Sequence, residues 1–344
     1  MKERISVGVV FGAQSNEHEV SLKSAYAVLE AIDVSKYEVH KIGITRQGKW
    51  FCFRGENKEI LNDVWYQNPK NEPICVDFLR KTLLARGSEL RLDAVFPIMH
   101  GEYGEDGRVQ SLFELLGIPL VGVSSASAVL CMDKGISKAV ATRELIPVVP
   151  YISVRRGEYD IKELKEQIPS RCELFVKPAR SGSSVGISKI SCVSELEGAL
   201  EIALDVCDEA LIEKGIRGRE CEVAVLCDGE KTVVSEVGEI SYKASFYDYN
   251  TKYNSRGVKY KIPAKIPEEC RNLCQKYAKE LFCALGVRSM ARVDFFVSED
   301  GAVYFNEVNA IPGFTGGSMY PMLMRRAGYP LKELIDALIH SALC

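Results

Sequence analysis

The sequence predicts a mixed chain, α/β at its N-terminal end and α+β beyond it, and three observations carry that reading. The chain opens on a strand-loop-helix unit: the apolar run Ile5 to Phe11 ends at Gly12, and Val20, Ala27, Val28 and Ala31 then mark a helix. Near the other end, two period-two runs, Met290 to Ser298 and Ala302 to Val308, flank the turn residues Glu299-Asp300-Gly301, the pattern of a β-hairpin. A length of 344 residues with 47% hydrophobic content is enough for two or three domains around a sizeable core.

Composition removes several function classes. A formal net charge of -3 and a pI near 6.0 give no electrostatic reason to expect nucleic acid or an anionic membrane as partner. No run of 18 apolar residues and no signal peptide is present, so a soluble, cytoplasmic protein is expected. The 12 cysteines include no C-x-x-C pair; Cys270 and Cys274 recur with Leu273, Tyr277 and Leu281 at helical spacing, as small buried hydrophobes do. With four histidines in the chain, a zinc site is not expected.

Taken in order, the loop after the first strand carries Glu17-His18-Glu19 where open α/β sheets place ligands, but without the G-x-G-x-x-G spacing of a dinucleotide site. Glu17 there is either an acid suited to a helix N-terminus or a site for a cation such as an amino group. Tyr37 to Thr45 and Lys49 to Phe53 read as strands, and Glu56 to Pro73 as an irregular connection without chemistry. Ala94 to Met99 is a buried strand that delivers His100 into H-G-E-Y-G-E-D-G, ahead of a helix with the stripe Val109, Leu112, Phe113 and Leu116. His100 and Glu17 can therefore face one cleft. Leu120 to Val123 closes this first unit.

The next helix holds Lys134 and Lys138 four residues apart, which taken alone are surface lysines. In the strand Glu173 to Pro178, Lys177 is costly unless its charge meets a partner such as a phosphate. The Gly/Ser-rich turn Ala179 to Gly186 then offers amides and hydroxyls to phosphate oxygens, as a hairpin rather than a P-loop. Ala210 to Ile216 brings Glu213 and Lys214 to the end of an apolar strand, the polarity an adenine would meet. Residues 239–260 show neither helix nor strand periodicity, hold five tyrosines, and have the size of an active-site lid. In the C-terminal hairpin, alternation puts Arg292 and Asp294 on one face of the first strand and Glu307 and Asn309 on one face of the second, so that pairing can bring them together. They supply two carboxylates and a carboxamide of the kind Mg2+ takes beside phosphate, with Arg292 to neutralise a phosphate or an oxyanion. The loop I-P-G-F-T-G-G-S follows, stiff and then flexible. Helices are expected over Pro267 to Leu285 and Leu331 to Ala342.

Eight motifs occur in one order: E-H-E-V-S, H-G-x-x-G-E-D-G, C-M-D-K, K-P-x-x-x-G-S-S-V-G, I-E-K, F-Y-D-Y-x-x-K-Y, R-V-D, and N-E-V-N-x-x-P-G-F-T. Together they make the chain resemble, over essentially its whole length, the D-alanine–D-alanine ligases of the ATP-grasp superfamily. The resemblance implies a three-domain ATP-grasp fold with an N-terminal open parallel-sheet domain over residues 1–123, a central subdomain over 124–211, and a metal-binding domain over 212–344 with a lid at 239–260.

It also implies an ATP-dependent, ADP-forming ligase for peptidoglycan precursors, in which ATP phosphorylates one D-alanine and the amine of a second attacks the acyl phosphate. By motif, Asp294, Glu307 and Asn309 would hold two Mg2+ ions, with Mn2+ as the alternative. Lys134, Lys177 and Lys252 would contact phosphates, and Glu213, Lys214, Ile216 and Glu220 would line the adenosine site. Glu17 with His100 nearby would bind the first D-alanine, Arg292 and the Gly313 amide would stabilise the oxyanion, and Glu17, Ser183 and Tyr253 would link first domain, hairpin and lid. Ser318 and Met319 would face the acceptor. The stretches I-G-I-T-R-x-G-K-W and I-L-N-D-V-W resemble the D-serine branch of vancomycin-resistance ligases, whereas Met319 stands where those enzymes tend to carry arginine, so D-alanine is expected and D-serine is the rival. A non-catalytic ATP-binding module and an ATP-grasp carboxylase or other amide ligase are the more distant readings. Family relatives imply a homodimer.

Overall fold

The computed structural model describes residues 4–241 and 258–344, apart from the side chain of Cys172. Strand β1 (Ile5–Gly12) runs parallel to both β2 (Tyr37–Ile44) and β7 (Ala94–Ile98). Its near-continuous apolar sequence follows from burial on both faces. Val7, Val9 and Phe11 enter a core shared with helix α1 (His18–Ala31), while Val10 enters one shared with α3 (Arg108–Leu116).

The expected open parallel sheet is confined to β2-β1-β7. It continues as an antiparallel meander through β3 (Trp50–Phe53), β4 (Glu72–Asp77), β5 (Thr82–Ala85) and β6 (Ser88–Leu90), giving a seven-stranded sheet in the order β6-β5-β4-β3-β2-β1-β7. The β4–β5 and β5–β6 connections are tight turns, with positive φ at Lys81, Arg86 and Gly87, and such turns join only antiparallel neighbours. The stretch expected to be irregular contains the short helix α2 (Asn57–Leu61) and a 3-10 turn at Trp65–Gln67. Trp65 is buried over the space a side chain at Gly43 would fill.

One helix was expected through Lys134; there are two, α4 (Ser125–Met132) and α5 (Lys134–Arg143). Asp133 divides them, because its side chain accepts the Ile136 N–H and caps α5. Both helices pack against the third sheet and its core. The second sheet has the order β10-β9-β11-β8, from β8 (Tyr151–Arg155), β9 (Arg171–Pro178), β10 (Ser188–Cys192) and β11 (Glu209–Lys214), with α6 (Ile161–Gln167) and α7 (Leu196–Val206) closing its core. The Gly/Ser stretch joins β9 to β10 as a hairpin loop. A division after residue 211 falls inside β11, which pairs with both β9 and β8.

The third sheet has the order β14-β13-β12-β15-β16, from β12 (Gly218–Cys227), β13 (Thr232–Ser241), β14 (Lys259–Lys261), β15 (Met290–Ser298) and β16 (Val303–Asn309). Helix α8 (Glu268–Ala284) covers one face through Cys274, Ala278 and Leu281. On the other face lie α9 (Met319–Arg326) and α10 (Leu331–Leu343), and α10 continues onto α1. The two ends of the expected lid are strand, since Glu239–Ser241 pair with Lys259–Lys261. Lys252 and Tyr253 lie outside the described residues. Among the described residues, no helix is long and apolar enough to cross a membrane.

Candidate active site

A continuous cleft opens where the three sheets meet. One end is lined by Glu17, His100, Gly313, Ser318, Met319 and Asn309. The other is lined by Lys177, Glu213, Lys214, Ile216, Glu220 and Asp294. Lys134, Ser183, Arg292 and Glu307 border both ends. The cleft thus gathers every residue to which the family resemblance gives a role except Lys252 and Tyr253.

At the first end, Glu17 precedes α1 and is 8% exposed. Ser183 Oγ, from the β9–β10 loop, donates to Glu17 Oε1. Two glycines make this approach possible: a Cβ at Gly101 or at Gly182 would stand 2.6 Å from Glu17 Oε2. His100 is buried, with both ring nitrogens engaged. Its Nδ1 lies 3.0 Å from the Ile311 carbonyl, which can only accept, so Nδ1 carries the proton. In the neutral ring Nε2, 3.0 Å from Ser24 Oγ, then accepts the Ser24 hydroxyl proton, while the same Oγ accepts the Phe314 N–H at 3.3 Å. His100 thus holds the loop around Gly313 as well as bordering the cleft. Ile311 and Phe314 anchor that loop in the core, Phe314 by edge contacts with Phe96 and Tyr320, and Gly313 between them faces the cleft.

In the hairpin, Asp294 pairs across the strands with Glu307 and Arg292 with Asn309. Arg292 donates to both oxygens of Asp294, at 2.8 and 2.7 Å, and its Nε lies 3.2 Å from Glu222. Burial opposes its charge, but Asp294 and Glu222 outweigh that penalty and drive its pKa well above the usual arginine value. Asn309 Nδ2 donates to Asp294 at 3.0 Å, and Lys134 Nζ stands 3.3 Å from Glu307 and donates to the Ser181 carbonyl at 2.6 Å. Two carboxylates and a carboxamide in cross-strand register are a hard-oxygen donor set that fits Mg2+. Among the described residues no three His, Cys, Asp or Glu side chains gather into a metal site of their own.

At the far end, Glu213 is buried between two lysines, with Lys177 2.8 Å from Oε2 and Lys138 3.2 Å from Oε1. Burial raises the Glu213 pKa, but Lys177 and Lys138 more than reverse this and leave it lowered. Burial lowers the Lys138 pKa to about 8 against the pull of Glu213. Taken alone, Lys134 and Lys138 read as surface lysines, but both are buried because Glu307 and Glu213 compensate their charges; Ser24, Glu222 and Asn306 drew no expectation from the sequence. The signal for Lys138 was present, since it lies one helical turn from Lys134; the other three are polar side chains in apolar contexts whose partners are remote in the chain.

Comparison with known proteins places this architecture. The family model described as D-ala D-ala ligase N-terminus matches residues 6–123, and that described as D-ala D-ala ligase C-terminus matches 140–340. The D-alanine–D-alanine ligase of Caldicellulosiruptor bescii is 42% identical over 99% of this chain and 95% of its own length. That of Clostridium acetobutylicum is 41% identical over 99% and 98%. Among solved structures, the VanG D-Ala:D-Ser ligase from Enterococcus faecalis superposes with a TM-score of 0.91 at 38% identity, covering 99% of this chain and 100% of that one. The D-alanine–D-alanine ligase from Coxiella burnetii gives 0.89 at 32% identity, with 99% and 94% covered. A chain so similar from end to end, with the motif residues gathered in one cleft, belongs to the D-alanine–D-alanine ligase family of ATP-grasp ligases.

Proposed function

We propose that the protein joins two D-alanines into D-alanyl-D-alanine with conversion of ATP to ADP and phosphate, supplying a peptidoglycan precursor. The observation that carries this reading is the continuity of the cleft. A carboxylate able to hold an ammonium, Glu17, lies at one end, lysines able to meet phosphates lie at the other, and Arg292 and Glu307 stand at the junction.

ATP lies with its base near Glu213, Lys214, Ile216 and Glu220 and its phosphates toward Lys134 and Lys177; Lys252 adds a contact from the lid. Asp294, Glu307 and Asn309 hold Mg2+, two ions or Mn2+ in their place, which supplies charge neutralisation at the phosphates. Glu17, steadied by the Ser183 hydroxyl, binds the first D-alanine's ammonium and points its carboxylate at the γ-phosphate. One carboxylate oxygen forms a bond to phosphorus as the bond to ADP breaks. The second D-alanine, against Ser318 and Met319, then attacks the acyl carbon through its neutral amine, which gives up a proton as inorganic phosphate leaves. Arg292 and the Gly313 amide meet the oxyanion of that step. Tyr253 completes the link of Glu17 and Ser183 to the lid, which keeps water from the acyl phosphate. The three-part division, drawn after β11 rather than within it, a cytoplasmic location and a homodimer accompany this reading.

A D-serine acceptor is the second reading, favoured by the likeness to the Enterococcus faecalis D-Ala:D-Ser ligase. Against it, Met319 is buried and its sulfur fills the space left by Gly238, so the acceptor wall is apolar there and suits a methyl group. Phosphate release and dipeptide mass, measured with D-alanine alone and with D-alanine plus D-serine at neutral pH, test both. D-alanine-dependent phosphate release with D-alanyl-D-alanine as the preferred product is expected. A kcat/KM preference for D-serine moves the assignment to the second reading, and absence of amino-acid-dependent turnover removes both.

A further inference from the structure

Lys138 is fully buried and does not line the cleft, yet it belongs to a ring of four residues, closed through the Asn306 main-chain carbonyl, whose other three members do. Its Nζ stands 3.2 Å from Glu213 Oε1 and donates to the Asn306 carbonyl at 3.1 Å. Lys177 Nζ occupies the other side of the same two residues, 2.8 Å from Glu213 Oε2 and 3.2 Å from Asn306 Oδ1. Glu213 and Asn306 thus each bridge both lysines. The ring holds two positive charges and one negative. Without Lys138, Glu213 would neutralise Lys177, and the cleft would face a neutral pair. With Lys138 behind it, Glu213 is compensated from the rear, and one net positive charge remains at the wall.

We propose that Lys138 is a positioning residue of the nucleotide-phosphate site: by taking one oxygen of Glu213 it leaves Lys177 with charge to offer a polyphosphate. The inference rests on the proposed ATP-dependent reading of this cleft. A purely mechanical role, tying α5 to β16 through the Asn306 carbonyl, is the competing account, and charge separates the two. Replacing Lys138 with methionine keeps most of the volume and removes the charge. Lys138→Met combined with Glu213→Gln restores one net positive charge, now on Lys177 alone.

The test measures the affinities of ATP, ADP and adenosine by calorimetry, and KM for ATP and D-alanine, in wild type, K138M and K138M/E213Q. For K138M, a loss of roughly tenfold is expected for ATP and ADP, the order contributed by one partly screened charge, with adenosine affinity and the D-alanine KM within about twofold of wild type. The double variant is expected to recover most of the lost preference for ATP over adenosine. Equal losses for ATP and adenosine, or a double variant no better than K138M, overturn the proposal. If K138M does not fold, the double variant, in which the carboxylate is neutralised together with the lysine behind it and Lys177 faces the cleft, decides: a retained preference for ATP over adenosine supports the proposal and a lost one overturns it. Wild type that binds no ATP overturns the functional reading itself.

Discussion

Arg292 occupies one strand position and holds two buried carboxylates, Asp294 and Glu222, in place. An isolated charge in such surroundings is strongly disfavoured, so the three residues stand or fall together. Arg292→Met is expected to lower kcat by roughly 100- to 1,000-fold through loss of the oxyanion donor proposed above. It is also expected to cost about 3 to 5 kcal/mol of stability, because two acids lose their counter-ion. Arg292→Lys separates the two effects: a lysine retains the charge and much of the stability but not the two-pronged geometry, so kcat stays low. Steady-state kinetics and denaturant unfolding of both variants check this, and a methionine variant as stable as wild type would show that the acids had found another partner. The local part of this arrangement was legible in the sequence, because a period of two places Arg292 beside Asp294 on one strand face. Glu222, from a strand about seventy residues earlier in the chain, was not, since nothing local marks which distant strand pairs with β15.

At the scale of elements, the hairpin β15–β16, the lysine-bearing β9 and the Gly/Ser loop were readable because each is a short-range pattern of alternation closed by turn residues. Of the antiparallel extension, β3 was legible as the run Lys49 to Phe53, but β4–β6 were not, because those strands are short and alternate only weakly. The break between α4 and α5 is visible once Asp133 is read as a cap. The loop around Gly313 depends on a long-range contact that no local pattern signals: Ser24, on α1, joins His100 and the Phe314 amide in one chain of hydrogen bonds. Ser24→Ala leaves Phe314 N–H and His100 Nε2 buried without that partner. The loop around Gly313 then loses its alignment to a charge that develops only in the transition state. The expected result is a kcat lower by about tenfold with the KM for ATP unchanged. A change confined to KM for ATP, or no kinetic change, would count against the relay.

For the molecule as a whole, the chain's last helix closes onto its first unit, and that closure is partly electrostatic. Beyond the apolar contact of α10 with α1, Asp336 accepts from Lys36 Nζ at 2.8 Å and from Tyr37 Oη, and Lys332 pairs with Asp33 at 3.0 Å. Burial pushes the Asp336 pKa up, but the bonds from Lys36 and Tyr37 outweigh it and hold it below the usual 3.8. The Ser35 hydroxyl and Lys332 draw Asp33 down to about 2. Both folded-state values lie below those of the unfolded chain, so their stabilisation is complete above about pH 4 and fades as pH falls from there toward 2. Thermal melts across this range should therefore show an acid limb that Asp336→Asn makes shallower. Because Asp336 is partly open to solvent, the variant should lose only about 0.5 kcal/mol at neutral pH, less at high salt. The same variant should keep its KM values, since Asp336 lies outside the cleft. An acid limb identical to wild type would mean that the apolar contact of α10 with α1 alone holds the two ends of the chain together.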